Sequence, residues 1–241
     1  MQETTYNLPL RIITGASSNH YKSLHQLLQS IHTIHSPNQY ELILWDLGLT
    51  KKEQVAIEYF YGTMRRFDYS KYPPYFDINV NAGEYAWKPA LIYETVTALG
   101  PGTYLWLDAG DVVRKPLITL QAHIEKYGIY SPDSAASVNS FTYPKVFDAV
   151  HPKYQDYKQL QMRNGAILGF DTRRPWVQEL IATFAEWAGK QEIIAPTGSS
   201  RENHRQDQAI FSLLYWDAER LYRFDTNAKY QSFIKLHQDI D

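Results

Sequence analysis

From Leu10 to Leu107 short apolar runs alternate with stretches of helical periodicity, and this alternation restricts the chain to a parallel sheet covered by helices. Leu10 to Thr14 is a β-branched run reaching Gly15, followed by the polar turn Ala16-Ser17-Ser18-Asn19. Leu24, Leu27, Leu28 and Ile31 then recur at helical spacing. Tyr40 to Trp45 reads as a second strand ending at Asp46. After it, Thr50-Lys51-Lys52-Glu53 fits a capping box, with hydroxyl and carboxylate placed to satisfy the free amides of a new helix. A brief strand over Met64–Phe67 leads into a Pro- and Tyr-rich loop, Ser70 to Tyr85. Pro89 suits the first turn of a third helix, because its missing N–H has no bond to make there. Gly100-Pro101-Gly102 then turns the chain into Thr103–Leu107, which runs directly into Asp108.

Parallel sheets bind ligands outside the carboxyl ends of their strands. Here those ends carry Thr14-Gly15-Ala16, Asp46 and Asp108-Ala109-Gly110-Asp111, so three polar strand ends converge on one sheet edge. The remainder is less regular. Gly128 to Gln161 reads as long loops with short strands, and Gly165–Phe170 as a clear strand behind Arg163-Asn164. An amphipathic helix follows Pro175, Arg205 to Tyr215 forms another, and Leu221–Phe224 is the expected last strand. No linker or repeat interrupts the chain, so one continuous domain over residues 1–241 is expected.

Composition narrows the chemistry. With no cysteine, thiolate ligands and thiol nucleophiles are excluded. The net charge of −2 and scattered basic residues argue against nucleic acid as a partner, since nucleic-acid binders show a basic face. No apolar run approaches a membrane span, and Met1–Tyr6 lacks the basic start and apolar stretch of a secretion signal. The expectation is a cytoplasmic enzyme, or one catalytic domain of a longer, anchored chain. His20, His25, His32 and His35 do not share one helix face, so no metal site is expected among them. The 19 Tyr and 6 Trp suit stacking on sugar rings, although burial explains most aromatics equally well.

Tyr104-Leu105-Trp106-Leu107-Asp108-Ala109-Gly110-Asp111 is the strongest local signal: an apolar strand ending in two carboxylates around a glycine. Mn2+ and Mg2+ prefer such oxygen ligands together with substrate phosphate oxygens. The same residues also fit a plain turn whose carboxylates bond backbone amides. The segment resembles the DxD region of GT-A glycosyltransferases, in which carboxylates hold a metal on the diphosphate of a nucleotide-sugar. Three further segments, in the same chain order, resemble that family: Tyr85-Ala86-Trp87-Lys88-Pro89, Met162-Arg163-Asn164-Gly165 and Arg205-Gln206-Asp207-Gln208. Together the matches span roughly residues 10 to 237, and the Trp-Lys-Pro and Leu-Asp-Ala-Gly pieces are most like uncharacterised members.

The resemblance implies an α/β GT-A domain with a mostly parallel central sheet, a nucleotide-binding half over about residues 1–115 and an acceptor-side half over about 116–241. It implies transfer of a sugar from a UDP- or GDP-sugar to a hydroxyl acceptor such as a glycan, with a lean toward retention of configuration. Thr14, Gly15, Ala16, Asp46, Lys88 and Asp108 would contact the donor; Asp108, Asp111 and His237 would hold Mn2+ or Mg2+; Asp207, Gln208 and Asn164 would lie at the reacting carbon. One departure stands out: Gly110 occupies the position where a DxD carries its second carboxylate. Either Asp111 replaces it one residue later, or the metal is held weakly, or transfer is metal-independent. Two alternatives of other classes remain. Gly15 to Ser23 superficially resembles a phosphate loop of a phosphotransferase or NTPase, with the spacing wrong by one residue. A non-catalytic sugar-binding module would explain the aromatics but not the polar strand ends.

Overall fold

The structure is a computed structural model and describes residues 9–230 and 232–240. In chain order it contains β1 (Leu10–Ser17), α1 (Tyr21–Ile34), β2 (Tyr40–Gly48), α2 (Lys51–Tyr61), β3 (Met64–Arg66), α3 (Trp87–Leu99), β4 (Thr103–Leu107), β5 (Val112–Val113) and α4 (Ile118–Tyr127). There follow β6 (Ile129–Tyr130), β7 (Asp133–Ser137), α5 (Pro144–Ala149), β8 (Gln161–Arg163), β9 (Ile167–Asp171), α6 (Pro175–Ala188), α7 (Gln191–Ile194), α8 (Gln206–Tyr222) and β10 (Ile234–Lys235).

The central sheet has six strands in the order β3-β2-β1-β4-β9-β6. β3, β2, β1 and β4 run parallel, while β9 pairs antiparallel with β4 and β6 antiparallel with β9. The mixed α/β fold with a mostly parallel sheet is therefore present, and strands from both halves of the chain share it. Side chains alternate along each strand, so both sheet faces are buried. Ile13, Tyr104, Trp106 and Phe170 enter a core with α3, α6 and α8. Ile12, Leu105 and Leu107 enter a second with α1 and α4. Each such fully buried side chain contributes roughly 1.5–3 kcal/mol, which holds the helices on the sheet.

Local signals set the element ends. Thr50 Oγ1 accepts from the Glu53 amide at 3.3 Å and the Glu53 carboxylate accepts from the Thr50 amide at 2.8 Å, completing the capping box of α2. Pro89 falls in the first turn of α3. β1 continues past Gly15 through Ser17, beyond the predicted turn. Glycine is required inside this strand, because a Cβ on Gly15 would lie 2.9 Å from the Trp45 carbonyl oxygen of β2. The expected strand over Leu221–Phe224 is absent: α8 extends to Tyr222 and ends at Arg223, which is left-handed with φ 53°. Tyr222 stacks on Trp176 with ring centroids 4.4 Å apart, and this packing overrides the β preference of the local sequence. The last strand is instead β10, antiparallel to β5.

Ahead of α3, Asn81, Ala82, Gly83, Glu84 and Tyr85 form one left-handed turn, with φ between 47° and 63°. L residues there cost roughly 1–2 kcal/mol each. Glu84 offsets part of this, accepting from Asn81 Nδ2 at 2.7 Å and from Gln206 Nε2 of α8 at 3.1 Å. Trp87 Nε1 also donates to the Ala82 carbonyl at 3.0 Å.

Candidate active site

A cleft of about 370 Å³ opens beyond the carboxyl ends of β1 and β4, and its walls include Gly15, Lys88, Asp108, Asn164, Asp207 and His237. Its floor is an ion cluster. The start of α3 carries Lys88 inward, where Nζ lies 3.0 Å from Asp108 Oδ1 and 2.9 Å from Asp207 Oδ2. Nζ also donates to the Gly165 carbonyl at 3.2 Å, so all three of its protons have a direction to point. The rings of Tyr85 and Trp106 flank the ammonium at 5.8 and 5.5 Å. Burial alone disfavours the lysine charge, but the two carboxylates outweigh it and hold Lys88 protonated above the usual lysine range. Asp207, at the start of α8, is raised by burial despite the opposing pull of Lys88.

The carboxylate turn is built by β4 running out between β1 and β9. The Asp108 amide donates to the Ala166 carbonyl at 3.0 Å, and the Asp111 amide returns to the Asp108 carbonyl at 3.0 Å. Asp108 Oδ1 also accepts from Trp106 Nε1 at 2.7 Å. Asp111 points beneath this turn and is 1% exposed. Neither of its carboxylate oxygens has a hydrogen-bond partner. Burial pushes its pKa up to about 9, and the neighbouring Asp108 carboxylate adds to the rise. Orphaned, buried carboxylate oxygens beside a second carboxylate suit a hard divalent cation. Among the described residues no three or more His, Asp or Glu side chains form a group that could hold a metal ion, so the expected set of Asp108, Asp111 and His237 is not brought together. A cation held by Asp108 and Asp111 would therefore share its remaining positions with ligand phosphate and water, the usual habit of Mg2+.

Asn164 and Gln208 stand beside this floor. Asn164 Oδ1 accepts from the Ala166 amide at 2.7 Å, fixing the bend that leads into β9. A Cβ on Gly165 would lie 3.1 Å from Asp207 Oδ2 and 3.4 Å from Gln208 Cβ, so the Asn-Gly and Asp-Gln segments are packed together. Gln208 Nε2 donates to Ser134 Oγ at 2.9 Å.

The other residues singled out in the sequence lie elsewhere. Thr14 is fully buried within β1, with Oγ1 unpartnered, and Ala16 packs against Leu24 and Leu28 of α1; neither lines the cleft. Asp46 is also off the cleft wall, its Oδ1 accepting from the amides of Gly48 and Leu49 at 2.8 and 2.7 Å. His237 does line the cleft, in a left-handed conformation with φ 52°. Wall residues that the sequence did not single out include Arg201 and Asp239, while His20 and Arg205 were noted there without a place in the site. Arg201 lies 5.2 Å over the Tyr85 ring and Arg205 4.8 Å over the Phe141 ring.

The segment carrying His237 and Asp239 is stitched to the carboxylate turn. β10 pairs with β5 immediately after that turn, and the Gln238 amide donates to the Gly110 carbonyl at 2.6 Å. Further along, Gln26 Nε2 donates to the Gln238 carbonyl at 3.2 Å and the Ile240 amide donates to Ser23 Oγ at 2.9 Å.

No curated protein matches the chain by sequence. A family model described as a protein of unknown function (DUF1647) matches residues 3–93, which takes in Trp87-Lys88-Pro89 and stops before Asp108. Among solved structures the chain is similar to the galactosyltransferase LgtC in complex with donor and acceptor sugar analogues. That match has a TM-score of 0.58 and 16% identity, over 94% of this chain and 86% of that one. It is also similar to the glycosyltransferase GlyE of Streptococcus pneumoniae TIGR4, with a TM-score of 0.53 and 10% identity; this chain matches over 94% of its own length but covers 46% of GlyE. The six-stranded, mostly parallel sheet flanked by helices is the GT-A glycosyltransferase fold.

Proposed function

We propose that the chain transfers a sugar from a nucleoside-diphosphate donor, UDP- or GDP-linked, to a hydroxyl acceptor such as a glycan. The observation that carries this reading is the meeting of four distant segments in one cleft of a GT-A fold. Lys88, the Asp108 turn, Asn164-Gly165 and Asp207-Gln208 all stand at its wall. LgtC, whose structure holds donor and acceptor sugar analogues together, is a precedent for one such fold serving both ligands. The nucleotide would occupy the β1 edge of the cleft at Gly15 and Ser17, in the half before about residue 115. The acceptor would enter past Tyr85 and Arg201. Of the two loops, residues up to 85 reach the cleft wall; residues 130–160 support it from behind, through the bonds from Gln208 to Ser134 and from Ser131 Oγ to the Asn164 carbonyl.

Mn2+ or Mg2+ at Asp108 and Asp111 would neutralise the donor diphosphate as it becomes a leaving group. The protein's own share is positional. Lys88 holds Asp108 and Asp207 in fixed orientations, and the left-handed turn sets Tyr85 against the ammonium. Asp207 is 5% exposed and clamped by Lys88, so it is poorly placed to take a proton from an acceptor hydroxyl. This favours a retaining reaction, which needs no strong base. The phosphotransferase alternative lacks its loop, since Gly15 to Ser17 belong to β1 and Ser23 Oγ is bonded to the Ile240 backbone.

The test is a thermal-shift panel of UDP-, GDP-, ADP- and CMP-sugars with and without Mn2+. A raised midpoint with a UDP- or GDP-sugar is expected, followed by sugar transfer to water or an added glycan. Stabilisation by ATP alone, or by no nucleotide, would sink the reading. Asp111→Asn should retain the fold and lose the Mn2+-dependent part of donor binding.

A further inference from the structure

Gly110 stands where a second carboxylate is wanted, and a neighbouring side chain occupies the space that its own side chain would fill. An ideal Cβ on Gly110 would come within 2.6 Å of both Cγ and Oδ2 of Asp239. Real Cβ atoms do not approach other atoms so closely, so the Asp239 carboxylate takes up the volume of a side chain at position 110. It does so beside Asp108, on the cleft wall.

This placement is built into the backbone. Hydrogen bonds fix the segment on both sides of Asp239: Gln238 to Gly110 on one side and Ile240 to Ser23 on the other. β10 further anchors it to the strand that follows the Asp108 turn. Among the described residues Asp239 is paired with His20, whose Nδ1 lies 3.4 Å from Oδ1, and its side chain is 45% exposed. Glycine at 110 is what permits the approach, since any larger residue would collide with the carboxylate.

Resting on the donor-site reading above, we propose that Asp239 supplies the metal-binding carboxylate that Gly110 lacks, joining Asp108 across the chain instead of from the same turn. One observation besides proximity points to a cation here. Asp111, in the same turn as Gly110, is 1% exposed with both carboxylate oxygens unpartnered. Asp108 and Asp239 line the same cleft wall, where the Lys88 ammonium lies 3.0 Å from Asp108 and His20 Nδ1 lies 3.4 Å from Asp239. Hard divalent ions bound with a nucleoside diphosphate use one or two carboxylates, which this pair provides.

The experiment measures free Mn2+ by electron paramagnetic resonance as protein is added, with and without UDP or GDP, for the wild type and three variants. Asp239→Ala should weaken Mn2+ binding in the presence of the nucleotide by at least about tenfold while leaving the unfolding midpoint unchanged. Gly110→Asp alone should be destabilised, because its carboxylate meets that of Asp239. Gly110→Asp combined with Asp239→Ala should recover most of the Mn2+ affinity, which a purely structural role for Asp239 would not produce. Wild-type affinity in Asp239→Ala, or no recovery in the double variant, overturns the proposal. UDP or GDP binding that is indifferent to Mn2+ in the wild type also overturns it and leaves the donor reading standing. Absence of any nucleotide binding removes both.

Discussion

Replacing Lys88 with methionine keeps the length of the side chain and removes its charge, leaving two carboxylates facing an apolar tip. The two arms of the ion cluster differ. On the Asp207 arm both side chains are buried, 4% and 7% exposed, so water does little to compensate the carboxylate. On the Asp108 arm the carboxylate is 33% exposed, and water screens much of the loss. Removing one partner of a buried pair costs about 3–5 kcal/mol, and most of that falls on Asp207. For a chain of this size each kcal/mol lowers the unfolding midpoint by about 2–4 °C, so a drop of about 6–20 °C is expected for Lys88→Met. Differential scanning calorimetry at neutral pH measures it. The second half of the test is Lys88→Met with Asp207→Asn, which removes the stranded charge and should recover at least about 1 kcal/mol relative to the single variant. A midpoint within about 3 °C of wild type for Lys88→Met, or no recovery in the pair, would refute the claim that the ammonium neutralises a buried carboxylate.

Burial lowers the His204 pKa from 6.5 to about 4, so the unfolded chain binds more protons than the folded one between those values. Stability from this residue is complete above pH 6.5 and falls as the pH drops toward 4, by about 3 kcal/mol in all; urea unfolding of wild type and His204→Gln from pH 7.5 to 4.5 should show a stability difference between them that shrinks as the pH falls. Gly165→Ala places a methyl 3.1 Å from Asp207 Oδ2, and should reduce sugar transfer strongly with about 1–3 kcal/mol of stability lost; unchanged transfer would detach Asp207 from the reaction. Gly15→Ala forces β1 away from the Trp45 carbonyl and should cost about 1–3 kcal/mol by chemical denaturation, with a neutral result arguing that the β1–β2 register is looser than described.

The parts of the fold that were legible in sequence are those governed by short-range periodicity. Thr103–Leu107 is an unbroken apolar run because both of its faces are covered, and it forms a strand with those bounds. The Thr50–Glu53 box works within four residues and needs no tertiary partner. Leu221–Phe224 failed because a ring stack with Trp176, 46 positions away from Tyr222, decides its conformation. The candidate site was legible where polar residues interrupt apolar elements, as at Asp108, Asn164 and Asp207. What could not be read is which of them touch. The double clamp on Lys88 joins α3 to the β4 end and to α8, and no spacing in the chain encodes it. Arg201 and Asp239 sit in irregular segments without a period to announce them, and the Cβ space at Gly110 exists only once the sheet has formed.

The stitching of residues 238–240 to α1 and the carboxylate turn has a temporal meaning. Ser23 and Ile240 are separated by 217 positions, whereas Ser18 and Glu53, which help join β1 to α2, are separated by 35. From an open chain the longer closure costs about 1.6 kcal/mol more, so these contacts form late, on a sheet already assembled. They are also the contacts that open first, since few apolar groups back them. During synthesis the parallel strands can associate long before Asp239 leaves the ribosome, and in the finished molecule amides 237–240 should exchange with solvent faster than those of β4. Opening of these few contacts would unseat one wall of the cleft while the sheet beneath stays folded.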